Sequence, residues 1–204
     1  VIIRNCIFYS NRANKNGGSL FFIYSDHIRI LSCSFKKNSA GQRGLIQGQG
    51  MGGAIYCNSA QTGHMTRKMA GTLIIKNCVF MLNSAVQDGG TLAMFSMYFV
   101  SLIRSSFANS TTTLPSHLSH FGGCIYLDNS ALLVNKNSTF IFNTVGQFSY
   151  GGAIYLDHVK RVKQHSCYFY CNKAGVGASL FHQWMGDRDD AFQLLLTYCT
   201  FSEG

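Results

Sequence analysis

The chain has 204 residues, a formal net charge of +9, and 47% hydrophobic residues, with 21 glycines and one proline. Only 12% of residues are charged, so the positive balance reflects scarce acids rather than a dense basic run, and no nucleic-acid module is visible. No apolar run reaches the ~18 residues of a membrane-spanning helix; Thr91–Ile103 comes nearest and reads better as two strands.

Taken in chain order, the sequence repeats two phrases. Val1, Ile3, Cys6 and Phe8 lead to Asn11, and Gly17-Gly18-Ser19-Leu20 follows. The second copy brings Ile28, Ile30, Cys33, Phe35 and Asn38, then Gly52-Gly53-Ala54-Ile55. The third brings Leu73, Ile75, Cys78, Phe80 and Asn83, then Gly89-Gly90-Thr91-Leu92. In the fourth, Val100, Leu102, Ser105 and Phe107 are followed by Asn109, an Asn slipped by one, and by Gly122-Gly123-Cys124-Ile125. The fifth has Leu133, Asn135, Ser138, Phe140 and Asn143, then Gly151-Gly152-Ala153-Ile154. The sixth has Val162, Gln164, Cys167, Phe169 and Asn172, with a degenerate Gly177-Ala178-Ser179-Leu180. A last partial copy holds Leu194, Leu196, Cys199 and Phe201. Asn135 and Gln164 are the imperfect members of an otherwise aliphatic position.

Measured back from each phenylalanine, the inward positions are seven, five, two and zero. Steps of two mark a strand, and the single step of three marks a bend. Helical spacing is absent. Such a repeat predicts an all-β, parallel β-helical solenoid of about six to seven coils, one segment over 1–204 and roughly 30–35 Å long. Equivalent side chains then stack: phenylalanines in the core, Cys or Ser where two walls meet, Asn at a turn where it can bond to turn backbone and left-handed φ is tolerated, and Gly-Gly at another corner. A Gly-Gly strand such as Gly151–Asp157 completes each unit. The longest additions, Gln42–Met51, Ser59–Gly71, Thr111–His120 and Gln183–Asp190, read as surface loops. The chain opens inside one strand and closes inside a turn, which predicts a piece of a longer polypeptide whose open coils meet further coils or other chains.

Gly-Gly-Ala-Ile at 52–55 and 151–154, interleaved with Phe-x-x-Asn, resembles the polymorphic membrane protein family of chlamydiae. The resemblance implies a right-handed parallel β-helix displayed outside the cell, usually as an autotransporter passenger and often adhesive. The family's motifs are structural, so no catalytic residue carries over.

Chemistry-bearing candidates are few. Asp128 and Asp157 share one slot, five residues after the second glycine, with Asn58 in the same slot; as neighbours in a stack they could share a proton or hold a hard cation. Asp187-Arg188-Asp189-Asp190 lacks the alternate ligand spacing of a Ca²⁺ loop, and His117, His120 and Cys124 form only a weak zinc pattern. The expectation is therefore no catalytic, metal or cofactor site. Five of the eight cysteines lie in the stacked column, where serine replaces them twice, which favours free buried thiols. The first functional reading is a non-enzymatic surface or extracellular β-helix, an adhesin or scaffold segment, with protein chains and surface glycans as partners and no nucleic acid. The alternatives are a polysaccharide lyase or hydrolase acting on acidic glycans, and a component of an intracellular or ciliary assembly.

Overall fold

The structure, a computed structural model, describes residues 1–41, 50–60, 70–113, 120–183 and 192–203. The chain is an all-β parallel β-helix: every strand pair is parallel, and the described residues contain no helix. Each coil runs through four walls. An aliphatic wall comprises β1 (Ile2–Arg4), β5 (His27–Leu31), β9 (Thr72–Lys76), β13 (Phe99–Ile103), the second halves of β16 (Ile125–Lys136) and β18 (Ile154–His165), and β21 (Gln193–Thr197). A phenylalanine wall of seven rungs follows: β2 (Ile7–Tyr9), β6 (Ser34–Lys36), β10 (Val79–Met81), β14 (Ser106–Ala108), β17 (Thr139–Ile141), β19 (Tyr168–Tyr170) and β22 (Thr200–Ser202). A short wall holds β3 (Arg12–Ala13), β7 (Ser39–Ala40), β11 (Ser84–Ala85) and β15 (Thr111–Thr112), extended by single bridges through Thr144 and Lys173. The Gly-Gly wall holds β4 (Leu20–Ile23), β8 (Ile55–Asn58), β12 (Leu92–Phe95), the first halves of β16 and β18, and β20 (Leu180–Gln183).

The Gly-Gly pairs are turns and not strand: β18 begins at Ile154 and continues to His165, so the segment 151–157 is part turn and part of a longer strand. In each pair the first glycine sits at positive φ, +66° at Gly52 and +60° at Gly89. The second lies where a coil and its neighbour nearly touch. A Cβ on Gly90 would strike the Gly123 carbonyl and come within 2.6 Å of the Thr111 carbonyl oxygen.

The bend in the strand has a specific cause. The residue three before each phenylalanine is left-handed in all seven rungs: Asn5, Ser32, Asn77, Arg104, Asn137, Ser166 and Tyr198. One such residue turns the chain by a corner and leaves a carbonyl facing inward. The Cys/Ser side chain next to it fills that gap. Cys33 Sγ donates to the Leu31 carbonyl at 3.2 Å, and Ser105 Oγ to that of Ile103 at 3.0 Å. The same atoms accept from the preceding coil: Cys33 N–H donates to Cys78 Sγ at 3.4 Å, and Cys78 N–H to Ser105 Oγ at 3.2 Å. Serine and cysteine exchange here because both are small and both donate and accept. All eight cysteines, including Cys6, Cys167 and Cys199, are free.

The asparagines bond to turn backbone as expected but do not themselves take the left-handed conformation. The left-handed residue at the second corner is the one before the asparagine (Ser10, Lys37, Leu82, Asn109, Phe142, Cys171), while Asn38, Asn83 and Asn143 are buried amides pointing inward. Asn38 N–H and Nδ2 both donate to Asn83 Oδ1 at 3.0 Å, and Asn38 Nδ2 also donates to the Phe8 carbonyl at 3.0 Å. Asn11 does the same to Asn38, and Asn143 to Asn172. Each amide thus satisfies the corner backbone of the preceding coil. Nor does the fourth copy slip. Asn109 takes the left-handed corner at φ 53°, and Ser110 takes the asparagine slot, its N–H donating to Asn143 Oδ1 at 3.1 Å.

Inside, the phenylalanine rings stack nearly parallel. Centroids are 4.5 Å apart for Phe8–Phe35, 4.8 Å for Phe35–Phe80 and Phe80–Phe107, 4.9 Å for Phe107–Phe140, 4.8 Å for Phe140–Phe169 and 4.7 Å for Phe169–Phe201. That spacing follows the strand separation, so backbone pairing and ring contact are satisfied together. The aliphatic column is broken by a buried pair, Asn135 and Gln164, with Asn135 Nδ2 donating to Gln164 Oε1 at 3.0 Å.

Candidate functional site

The four long additions lie mostly outside the described residues, as do His117 and the Asp187–Asp190 run. Cys124 is fully buried, with the Ser110 and Thr91 hydroxyls beside it, and burial pushes its thiol up to about 12. It faces the core, so it does not join His120 in a zinc set.

The chemistry gathers on the outer face of the Gly-Gly wall. Strand alternation sends Ile55, Cys57, Leu92 and Met94 inward and their neighbours outward. One outward column therefore reads Phe21, Tyr56, Ala93, Tyr126, Tyr155, Phe181, and the other Ile23, Asn58, Phe95, Asp128, Asp157, Gln183. Asp128 and Asp157 are direct cross-strand partners, whereas Phe95 separates them from Asn58.

The aromatic column is stacked where rings adjoin: 5.1 Å for Phe21–Tyr56, 5.6 Å for Tyr126–Tyr155 and 5.3 Å for Tyr155–Phe181. At Ala93 the Phe95 ring leans across the gap, 5.5 Å from Tyr56 and 5.4 Å from Tyr126. Phe121, one residue before a Gly-Gly turn, folds over this face with its ring 4.5 Å from Tyr155. Tyr150, in the same position of the next coil, packs 4.9 Å from Phe181. Tyr126 and Tyr155 point away from the core and are nonetheless buried. Asp88 is buried here as well, accepting from Phe121 N–H at 2.9 Å; Asn16 accepts from Met51 N–H in the same way.

Electrostatically the face is acidic and partly buried. Burial raises the Asp88 carboxyl to about 7, against one backbone hydrogen bond that lowers it. Burial also raises Asp157, opposed mainly by His158. Tyr126 and Tyr155 are pushed up by burial and then by the carboxylates around them, and burial lowers His182.

His158 was not singled out in the sequence. It is the left-handed corner residue after Asp157, and that geometry swings its ring back, Nδ1 lying 2.7 Å from Asp157 Oδ1 and 4.0 Å from Asp128 Oδ1. The ligand atoms of Asp128, Asp157 and His158 all lie within 4.8 Å of one another, half-buried, an arrangement suited to a divalent cation or to passing a proton between carboxylate and imidazole.

Comparison with known proteins agrees with the repeat. The family model of the Chlamydia polymorphic membrane protein repeat matches residues 32–58, which span Cys33, Phe35, Asn38 and Gly52-Gly53-Ala54-Ile55. The chain is 28% identical over 177 residues to a protein of Dictyostelium discoideum described as metabotropic glutamate receptor-like protein R, covering 85% of this chain. The chain spans 9% of that relative's length. No solved structure matches. The match falls on residues that carry the resemblance, and the parallel strands of the chain fit the β-helix that the resemblance implies.

Proposed function

We propose that this chain is a stiff rod at the cell surface or outside it, acting without catalysis as an adhesin or as a scaffold segment. The observation that carries this reading is the unbroken seven-rung phenylalanine wall, which makes the described coils one continuous parallel stack. Such a stack is inextensible along its axis because every coil is hydrogen-bonded to its neighbours. The repeat match adds the surface-type family. Electron microscopy of the native assembly, with antibody against the chain on unpermeabilised cells, tests it. Labelling confined to permeabilised cells, or a rod embedded in an internal assembly, would replace it by the scaffold of an intracellular or ciliary structure.

One observation favours a second reading, an enzyme acting on acidic polysaccharides: Asp128, Asp157 and His158 converge on one wall. Turnover of a glycan panel, abolished in Asp157→Asn, would support it; no turnover by the parent chain would remove it.

A further inference from the structure

The aliphatic wall is named for its inner face; its outer face is different. Six cations, Arg4, Arg29, Lys76, Arg104, Lys136 and Lys163, lie on it or on its corner across the first six coils, and the exposed Arg161 adds a second in the sixth. Five of the six are exposed and Lys76 is half-buried. Arg4, Lys76 and Lys136 share one column, alternating with Leu31 and Ile103, so those three charges recur every second coil. At about 4.8 Å per coil the spacing within that column is ~10 Å, and the whole row spans ~24 Å along the axis. Among the described residues no Asp or Glu lies on this wall, and none of the six forms a salt bridge. Of the five acids among the described residues, Asp26 precedes β5 at the edge of this wall, and Asp88, Asp128 and Asp157 sit on the Gly-Gly wall.

Cations fixed on one face of the rod, with no carboxylate on that wall, carry a repulsion that a bound polyanion would relieve. A groove of about 330 Å³ lies at the middle of the row, on the corner next to Lys76 and Lys136. Its walls include the side chains of Asn77, Arg104, Ser106, Asn137 and Thr139. Both asparagines are left-handed corner residues, exposed by the bend. Amides and hydroxyls around a guanidinium match a sugar that carries hydroxyls beside an acidic group. A duplex offers grooves that a flat sheet does not enter, and a single strand wants a row of exposed stacking rings, which this column of charges lacks.

We propose that this face binds a linear acidic polysaccharide laid along the rod axis, with Lys76, Arg104 and Lys136 as its centre. The proposal deepens the surface-rod reading by naming a partner, and its acidic groups are sulfate esters or carboxylates.

The test is binding of the full chain to heparin, polygalacturonate, duplex DNA and phosphatidylserine vesicles across a salt series. Two triple variants are compared: Lys76→Gln/Arg104→Gln/Lys136→Gln, and Arg12→Gln/Lys15→Gln/Lys173→Gln on the short-wall side, which removes the same charge. Circular dichroism confirms that both fold. The expected result is salt-sensitive binding to heparin or polygalacturonate that the first triple weakens at least tenfold and the second less than twofold. The stronger of the two glycans identifies the acidic group. Equal weakening by both triples would reduce the effect to net charge and overturn the site. Tighter binding to DNA or vesicles, or no glycan binding, would also overturn it. The rod reading would survive each of those outcomes, because microscopy decides it.

Discussion

Phe80 and Phe201 occupy the same column, four coils apart. Phe80 is fully buried, with Phe35 and Phe107 each 4.8 Å away. Phe201 stacks on Phe169 at 4.7 Å and is 44% exposed. Leu194 and Leu196, in the inward positions of the same last coil, are 44% and 42% exposed, whereas their counterparts Leu73 and Ile75 are fully buried. A ladder residue therefore has no fixed worth. Its contribution comes from having a neighbour on both sides, and coils at the middle and at the edge of the described stack differ in stability by that second neighbour.

The largest expected effect is at the middle. Phe80→Ala removes a ring from a two-sided stack and should cost about 3–5 kcal/mol, read as a fall in the denaturation midpoint without change in slope. A loss below 1 kcal/mol would mean that the column does not hold the core. Asn83→Ala comes next. It strips Asn38 N–H and Nδ2 of their common acceptor, and the Phe35 carbonyl of its donor. The expected cost is about 2–4 kcal/mol, against under 1 kcal/mol for Asn11→Ala, whose residue is exposed. Equal costs at the two positions would break the comparison.

Asp88 carries the comparison from the inside of the stack to its outside. Its carboxyl holds a proton to about pH 7 when folded, while the unfolded chain releases it near 4. Between those values the folded state binds more protons, so stability falls as pH rises, and the penalty is complete above pH 7. Asp88→Asn should keep the Phe121 hydrogen bond, raise stability by about 2 kcal/mol at pH 8, and make no difference below pH 4. Melting curves at the two pH values check this, and a gain at both would assign the effect to packing instead. Phe201→Ala is the smallest change, about 1–2 kcal/mol because half of the ring is already exposed.

The columns that were legible in the sequence are those in which one residue type answers one constraint. Phenylalanine recurs because a ring fills a coil at the strand spacing, and Cys or Ser recurs because the corner needs a small donor. The asparagine column was visible, and so was its bonding to turn backbone; its tolerance of positive φ is not what the position uses, because the residue before it takes the left-handed corner and the amide is buried. The ordinary residues that do take positive φ, such as Leu82 and Phe142, carry no signal of it. The covered outer face was missed because its burial depends on Phe121 and Tyr150, which come from connecting segments. An aromatic directly before Gly-Gly in two successive copies was the available clue. The Asp128–Asp157 pairing was readable from spacing; His158 was not, because a corner and not a strand position aims it.

Asn135 and Gln164 have a further consequence. Among the described residues, Asn135 Oδ1 and Gln164 Nε2 have no hydrogen-bond partner, so the pair is a net burden on an interior that aliphatic residues would fill better. Yet a chain of near-identical coils faces an addressing problem. Phenylalanine finds phenylalanine and asparagine finds asparagine whether a coil docks on its proper neighbour or on the next one along. The amide pair is the one mark in the column that is not interchangeable: a slip by a single coil would leave Asn135 facing Leu196, or Gln164 facing Leu102, and break the bond between the two amides. What the stack loses in stability there, it recovers as a counting mark that distinguishes the fifth coil from its copies.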